Sequence, residues 1–497
     1  MNPLASTKCA RRLLMALAAT ISILLTAGCG SSGGPVPPLG GSFSNASLNG
    51  QYVMKQTGTG INQQGTAVDP FSETSVFTAD GKGNLTITVD DFDQVGGPYG
   101  GVESLAGTYH INSDGTGYLI FKYTTPSNYS ITMIDDSHFY LIEGDTYATS
   151  SGYGVLQDTS AFGAPPSGAF VFKGHNVDTS SRVGGVSIAG GAITGTEDFL
   201  TLGTLFPNQP ISSTVAMSST DANGRGTFTL SDGSSFNYYV VNSTEFYFMS
   251  NSASGSLEIG QAEAQTGGPF SAATLASGNS YVFGSAGDTT VSGPAGIHSA
   301  GVFTTDGVSA ITGGTVDYVQ DTTVNSNLAV SGGTYTLASN GRGTINLSLV
   351  GGSISPQIFW MINGTSAYFL ANNTAAVEDG TFSLQQAAPT LSGQAAFVMD
   401  GFDSGGLKDR VGDFEPTNSG AFNWNQTANS FLPSSGSGIV SSLGTNGTYT
   451  VSSNGRVAVV VNGVTSSVVF YLSSANTGFM VQEDADVGGA FTQQASQ

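Results

Sequence analysis

The feature that most constrains this chain is a short turn sequence that recurs four times. A glycine follows Asp or Asn at positions 115, 224, 341 and 455, at intervals of 109, 117 and 114 residues. Asp-Gly and Asn-Gly between apolar alternating runs favour a tight β-hairpin, because both central residues of that turn must adopt positive φ. The chain is therefore predicted to contain four copies of one β-rich unit.

Each predicted unit contains about eight short strands. It opens with an aromatic strand such as Gln51–Met54, continues into the central hairpin, and closes with a strand such as Phe382–Gln385. A meander of this length removes its two exposed edges most simply by closing on itself. We therefore expect an all-β chain of four tandem antiparallel units folded as up-and-down barrels. Two-layer β-sandwiches are the alternative.

Segments rich in proline and glycine divide the chain. The predicted order is a signal peptide (1–28), a lipidated cysteine with a flexible stalk (29–46), and β units at 47–158, 167–263, 278–386 and 393–495.

The N-terminus has the pattern of an export signal. Basic residues between Lys8 and Arg12 precede the apolar run Leu13–Leu25, which is too short for a stable membrane span. The run ends in Ala-Gly-Cys29, which resembles the lipobox of bacterial lipoproteins. That resemblance implies a diacylglycerol on Cys29, and Gly30 in place of aspartate favours the outer membrane. We expect an exported chain anchored to the cell envelope by lipid.

The repeats also carry a wider resemblance. The lipobox, the Gly/Ser/Pro stalk, and units that begin like Leu48–Tyr52 and contain turns like Phe77–Asn84 resemble repeat lipoproteins common in acidobacteria. The resemblance implies localisation and repeat architecture, and it brings no activity or site residue with it.

Charge and cysteine content exclude several classes of protein. The net charge of −22 makes nucleic acid an unfavourable partner. The two cysteines are Cys9, inside the signal, and Cys29, so the exported chain cannot form an internal disulfide. Units of about 110 residues are large enough to fold on apolar burial alone.

The sequence offers few candidates for chemistry, and we predict no cofactor. The four histidines, at 110, 138, 175 and 298, lack the close spacing of a transition-metal site. The acidic group Asp90, Asp91 and Asp93 is a weak calcium candidate. The alternative is that these charges discourage edge pairing and keep a glycine-rich chain soluble.

Two further side-chain types have open roles. Trp424 has polar neighbours and is a weak candidate for stacking on a sugar, with core packing as the alternative. The arginines of the Asn-Gly-Arg hairpins are predicted to project from turn tips and to balance the acidic surface.

The leading functional hypothesis is a surface-anchored, non-enzymatic lipoprotein whose repeated units bind a ligand or build the cell envelope. Repetition suits avidity for glycans or envelope polymer. A barrel-type carrier of small apolar molecules is the alternative. An envelope hydrolase is the third possibility, and it requires a carboxylate pair that breaks the repeat in one unit.

Overall fold

The computed structural model describes residues 41–495 except for 62–66, 95–96, 177–179, 202–203, 252–256, 290–295, 321–322, 353, 355, 373–375, 404–405, 418–419, 433–435, 462–466 and 484. The described chain forms four closed antiparallel barrels of eight strands each, in which consecutive strands pair and the first strand pairs with the last. The predicted barrel architecture is confirmed, and the sandwich alternative is wrong.

The strands follow one another in chain order. Barrel 1 contains β1 (Asn49–Ile61), β2 (Ala67–Asp80), β3 (Asn84–Gln94), β4 (Gly97–Ile111), β5 (Thr116–Phe121), β6 (Ser127–Asp135), β7 (His138–Glu143) and β8 (Ala148–Leu156). Barrel 2 contains β9 (Gly168–Asn176), β10 (Ser180–Ala189), β11 (Ala192–Thr201), β12 (Thr204–Val215), β13 (Arg225–Leu230), β14 (Ser235–Asn242), β15 (Glu245–Ser250) and β16 (Glu258–Ala264).

The second half repeats the order. Barrel 3 contains β17 (Ser280–Thr289), β18 (Gly296–Thr305), β19 (Ala310–Gln320), β20 (Thr323–Leu337), β21 (Arg342–Leu349), β22 (Gln357–Met361), β23 (Ser366–Ala371) and β24 (Ala376–Leu384). Barrel 4 contains β25 (Ala395–Asp403), β26 (Gly406–Pro416), β27 (Ala421–Leu432), β28 (Gly436–Val451), β29 (Arg456–Val461), β30 (Ser467–Ser474), β31 (Thr477–Gln482) and β32 (Asp486–Gln493).

The repeated Asp-Gly and Asn-Gly dipeptides join the fourth and fifth strands of each barrel. Their glycines, at 115, 224, 341 and 455, have φ values of +89°, +71°, +93° and +82°, which a side chain would strain. Short 3-10 helices precede the first strand of barrels 1 and 3 at Asn45–Ser47 and Ala272–Thr274, and another lies at Thr159–Ala161. No helix in this part of the chain has the length and apolar character needed to cross a membrane.

Each barrel encloses its own apolar core. Alternate residues of every strand point inward, and aromatic rings such as Tyr52 and Phe77 in barrel 1 stack at 5.7 Å between centroids. Apolar residues from the segment before the first strand pack against each core, and they include Phe43, Phe162, Phe270 and Leu391. The linkers therefore act as plugs at one end of the barrels.

The described interior of barrel 2 leaves little room for a ligand. Barrel 2 contains a cavity of about 40 Å³, lined by apolar residues such as Phe172 and Phe248 and by Arg182 and Glu258. Sites for drug-sized ligands usually enclose about 300 Å³ or more. This cavity could hold only a few waters, so it gives no support to the carrier hypothesis.

The four barrels pack side by side in a closed ring. The first three strands of each barrel contact the sixth to eighth strands of the next, and β25 and β26 of barrel 4 contact β6, β7 and β8 of barrel 1 in the same way. One backbone N–H after each closing strand donates to the next barrel: Asp158 to Val241, Thr266 to Ile362, Gln386 to Ser473 and Ala495 to Ile134, at 2.7–2.9 Å. The last of these bonds returns the chain to barrel 1.

Candidate functional site at the axis of the ring

The acidic group of barrel 1 is divided between two environments. Asp90 accepts hydrogen bonds from Ser75 and Tyr123 at 3.0 and 2.5 Å on the core side of the barrel wall. Asp91 instead binds Arg225 of barrel 2. Burial raises the pKa of Asp93 to about 7, opposed by a hydrogen bond from Ser250.

These placements bear directly on the calcium hypothesis. Asp90 faces the core, whereas Asp91 and Asp93 face the neighbouring barrel, because neighbouring strand residues point to opposite sides of the wall. In the described residues no group of three or more His, Cys, Asp or Glu side chains is arranged to hold a metal ion. The carboxylates of Asp90 and Asp91 bond to side chains of the protein itself.

The other two sequence candidates are Trp424 and Cys29. Trp424 is 1% exposed and lies in the core of barrel 4, where its ring stacks on Phe414 at 5.8 Å. Its indole N–H donates to Gln426 at 3.0 Å. Trp424 therefore packs in the barrel core, which was the alternative to stacking on a sugar. Cys29 lies outside the described residues.

A glutamine joins each barrel to the next. The amide nitrogen of this side chain donates to two backbone carbonyls of the following barrel, one of them in the Asp-Gly or Asn-Gly turn. The four glutamines are Gln157, Gln265, Gln385 and Gln494, and their eight bonds measure 2.6–3.2 Å. Gln494 contacts barrel 1, so the fourth junction repeats the bond pattern of the other three.

The hairpin arginines are junction residues, and the prediction that they project from turn tips is wrong. Arg342 of barrel 3 forms two hydrogen bonds to Asp198 of barrel 2, at 2.6 and 2.9 Å, and Trp360 donates to the same carboxylate at 2.9 Å. Equivalent clusters join barrels 1 and 2 and barrels 3 and 4; their members are Arg225, Tyr239 and Asp91, and Arg456, Tyr471 and Asp317. Bidentate pairs of this kind fix register as well as distance.

The ring axis brings together the outward residues at one equivalent position of each first strand. Those residues are Lys55, Lys173, Gly284 and Val398, whose partners on the closing strands are Tyr153, Gln261, Thr381 and Ala490. Asp400 lies two residues further along β25. The first three also pack against an aromatic ring of the next barrel: Lys55 lies 4.3 Å from the Tyr247 ring centroid and Lys173 lies 5.8 Å from that of Tyr368. A side chain at Gly284 would come within 2.3 Å of Phe479.

The charged groups at the axis differ in how well they are neutralised. Lys173 and His175 contact Asp379 of barrel 3 at 3.2 and 3.0 Å, and Ser181 donates to the same carboxylate at 3.0 Å. Although burial opposes it, the two basic groups hold the pKa of Asp379 well below its usual range. Lys55 instead donates to the neutral side-chain oxygen of Gln261.

The pKa values reflect this difference. Burial and the neighbouring charge of Lys173 lower the pKa of Lys55 to about 7, although Glu245, Glu263 and Asp379 oppose the change. Burial raises the pKa of Asp400, opposed by His298 and His175. Because Lys55 interacts with a residue of barrel 3 and Asp400 with one of barrel 2, the charges of diagonally opposed barrels meet near the axis.

Sequence reasoning missed the axis because no local pattern marks it. Lys55 and Gln261 are 206 residues apart in the chain, as are Lys173 and Asp379. A signal was present in the repeat itself. When the units are aligned on the strand pairing, they carry Lys, Lys, Gly and Val at this position.

The fold is thus a closed ring of four eight-stranded barrels. Comparisons with known proteins add little to this description of the fold. No protein-family model and no curated protein matches the chain. A solved structure of transferrin binding protein B from Haemophilus parasuis, mutant Trp-176-Ala, is 8% identical over 70% of this chain and 77% of its own, with a TM-score of 0.21. The structure of intact Ap-TbpB, with N and C lobes, is 8% identical over 93% of this chain and 79% of its own, with a TM-score of 0.12. At these TM-scores the likeness carries no functional argument.

Proposed function

We propose that this chain is a lipid-anchored, non-enzymatic binding protein of the cell envelope, held by Cys29, that presents one end of the barrel ring to a glycan or envelope polymer. The anchor is an expectation from the sequence at Ala-Gly-Cys29. The ring supports the proposal because it gives the four repeats one common orientation.

The two ends of the ring have different connections. In an up-and-down barrel, alternate connections lie at opposite ends. The plug face carries the linkers and the turns after the second, fourth and sixth strands of each barrel. The loop face carries the turns after the first, third, fifth and seventh strands. The shared junction bonds keep all four barrels in the same orientation.

The observation that carries the proposal is where the stalk enters. Phe43 packs into the core of barrel 1, and its backbone N–H donates to Ser113 in the Asp-Gly hairpin at 3.2 Å. The segment that leads back to Cys29 therefore starts at the plug face. With a lipid at Cys29, the proposal directs the loop face away from the membrane, where turns of all four barrels can contact one polymer.

The chemistry of the proposed partner follows from charge. The net charge of −22 disfavours polyanions, whereas neutral glycans carry no such penalty. Repeated weak contacts to one polymer can raise apparent affinity by roughly a hundredfold. The ring holds the four barrels in fixed positions, which reduces the entropy cost of simultaneous contact.

Two measurements test this proposal. The variant Cys29→Ser should move the protein from membrane fractions to the soluble exported pool, while Cys9→Ser should leave it membrane-bound. In a glycan array, a bulky epitope inserted at Asp232–Gly233 on the loop face should abolish binding, and the same epitope at Asp306–Gly307 on the plug face should not. Membrane retention of Cys29→Ser, or equal binding by both insertion variants, would contradict it.

A further inference from the structure

The junction between barrels 4 and 1 closes the ring without a linker, and it buries two acids of β26. Asp409 and Asp413 are 6% and 0% exposed. The equivalent residues on the second strands of barrels 1, 2 and 3 are neutral or basic; they are Ser72, Ser181 and His298 for Asp409, and Val76, Gly185 and Val302 for Asp413. The two acids therefore distinguish this closing junction from the other three.

Both carboxylates lie on the face of β26 that packs against barrel 1. Side chains alternate along a strand, so Asp409, Val411 and Asp413 point to the same side. Val411 belongs to one apolar cluster with Ile142 and Tyr140 of barrel 1. An acid thus lies on each side of the apolar contact that joins the two barrels.

Hydrogen bonds to barrel 1 lie next to both acids. The amide nitrogen of Gln394 donates to the Asp413 carboxylate at 2.9 Å and to the backbone oxygen of Asp114 in barrel 1 at 3.1 Å. Asn429, the strand partner of Asp409, donates to three backbone oxygens of barrel 1 at 2.8–3.1 Å. Separation of the two barrels would break these bonds and bring both carboxylates into water.

Neither acid has a basic partner among the described residues. At the junction between barrels 3 and 4, the residue equivalent to Asp409 is His298, which contacts Asp486 at 2.8 Å. At the closing junction, the Oδ2 atom of Asp409 and the Oδ1 atom of Asp413 have no hydrogen-bond partner in the described part of the chain. A buried carboxyl without a cation favours its neutral form, because the apolar surroundings penalise the charge.

The charges that act on the two acids are negative. Asp400 of β25 acts on Asp409. Asp114 of barrel 1 and Glu415 act on Asp413. Burial, followed by these charges, raises the pKa of both acids well above its usual value.

The facing strands of barrel 1, which are β6, β7 and β8, supply no cation to these acids. Their one basic residue, His138, is paired with Asp135 at 2.9 Å. Glu143 points into barrel 1, toward its core. Tyr140 and Tyr153 stay neutral, because burial raises the pKa of both phenols. Ionised carboxylates at the closing junction would therefore remain unpaired.

We propose that the closing junction is a pH-dependent latch, which holds the ring closed while Asp409 and Asp413 are protonated and releases barrel 4 from barrel 1 when they ionise. Release places both carboxylates in water and so removes the penalty of a buried, unpaired charge. The other three junctions stay closed, because each has a linker and an arginine paired with an aspartate. The open form is a row of four intact barrels. This inference does not depend on the glycan contact proposed for the loop face.

The direction of the pH dependence follows from proton linkage. An acid whose pKa is higher in the closed ring than in the open one binds its proton more tightly in the closed ring. Closure is therefore strongest at low pH and weakens as the pH rises toward the closed-state pKa. Within that range each acid makes opening about tenfold more favourable per pH unit, and the two acids together about a hundredfold.

Small-angle X-ray scattering of the full exported chain, with Cys29→Ser to prevent lipidation, tests the latch between pH 5 and pH 9. We expect the radius of gyration to increase by roughly 10% over this range, since a row of barrels is less compact than a ring. Far-UV circular dichroism should stay constant, because the barrels remain folded.

The decisive variant is Asp409→Asn with Asp413→Asn, which keeps the shape of both side chains and cannot ionise. Its radius of gyration should not change with pH. The matched control, Glu103→Gln with Asp232→Asn, removes two acids at exposed positions and should expand as the parent does. If the double variant does not fold, Asp413→Asn alone should halve the number of protons released on opening. A parent of constant size, an expansion that the double variant shares, or an expansion that accompanies loss of the β signal would overturn the proposal.

Discussion

The three junctions that the chain crosses through a linker differ from the junction that closes the ring. Arg225, Arg342 and Arg456 each pair with an aspartate of the preceding barrel. The closing junction between barrels 4 and 1 has a threonine in every corresponding place: Thr116 for the arginine, Thr132 for the aromatic residue and Thr427 for the aspartate. All three members of the cluster are therefore missing together.

The joint absence of the arginine and the aspartate from the closing junction indicates how the junctions are built. A lone arginine in barrel 1 or a lone aspartate in barrel 4 would be a buried charge without a partner, which costs several kcal/mol. Replacing both members by neutral residues avoids that cost. The shared apolar contacts and the glutamine bonds remain, so the closing junction keeps its geometry with less electrostatic specificity.

The closing junction also has an acid in place of an apolar residue. Asp413 is fully buried beside Val411, and its Oδ1 atom has no hydrogen-bond partner among the described residues. Gln394 donates to its other oxygen at 2.9 Å. Burial and the charge of Asp114 raise the pKa of Asp413 well above its usual value. The corresponding positions in barrels 1 and 3, Val76 and Val302, lie in apolar junction clusters.

The largest expected effect comes from breaking one ionic junction. Arg342→Met leaves the fully buried Asp198 carboxylate with only the Trp360 and Asn208 donors. We expect the free energy of unfolding to fall by about 3–5 kcal/mol in urea titrations. The matched substitution at the closing junction, Thr116→Met, removes no charge partner and should cost about 1 kcal/mol or less.

A double variant sharpens that comparison. Arg342→Thr with Asp198→Thr copies the residue types of the closing junction into the junction between barrels 2 and 3. It should be more stable than Arg342→Met, because no carboxylate is left unpaired. If the double variant is the less stable of the two, the interpretation of the threonines as a paired replacement is wrong.

The second prediction concerns the glutamines, which all four junctions share. Gln265→Ala and Gln494→Ala each leave two backbone carbonyls without this donor. Each should cost about 1–3 kcal/mol. Only Gln494→Ala should increase the radius of gyration in small-angle X-ray scattering, because barrels 4 and 1 are not joined by a linker. Equal expansion of both variants would show that the closing junction is not the weakest.

The contrast also explains what the sequence could and could not predict. Turn chemistry at Gly115 and its three equivalents, and the need to close a strand meander, are local properties, and they predicted the barrels correctly. Ring closure depends on contacts such as Gln494 to Asp114, which are 380 residues apart. The local alternation of apolar and polar residues does not indicate these contacts.

The arginine error had a different cause. The sequence favours surface positions for Arg225 and Asp91, since a charged residue in a turn is usually solvated. A comparison of the repeats would have indicated otherwise. Arginine is absent from the first hairpin only, and the aspartate is absent from the last unit only, as expected if each arginine contacts the preceding unit.

The smallest effect should come from the buried acid of the closing junction, and it depends on pH. A carboxyl whose pKa is raised by folding contributes most to stability at low pH, and this contribution is lost as the pH rises from the unfolded value near 3.8 through the folded value.

Asp413→Asn keeps the shape of the side chain and removes its ionisation. We expect the variant to match the parent near pH 3.5 and to exceed it by about 1–2 kcal/mol at pH 7, since a pKa change of one pH unit corresponds to about 1.4 kcal/mol. Thermal melts across this pH range measure the difference, and Asp232→Asn, at an exposed turn of barrel 2, is the control. A constant offset between Asp413→Asn and the parent at every pH would show that Asp413 does not change its protonation in this range, and that the threonines alone distinguish the closing junction.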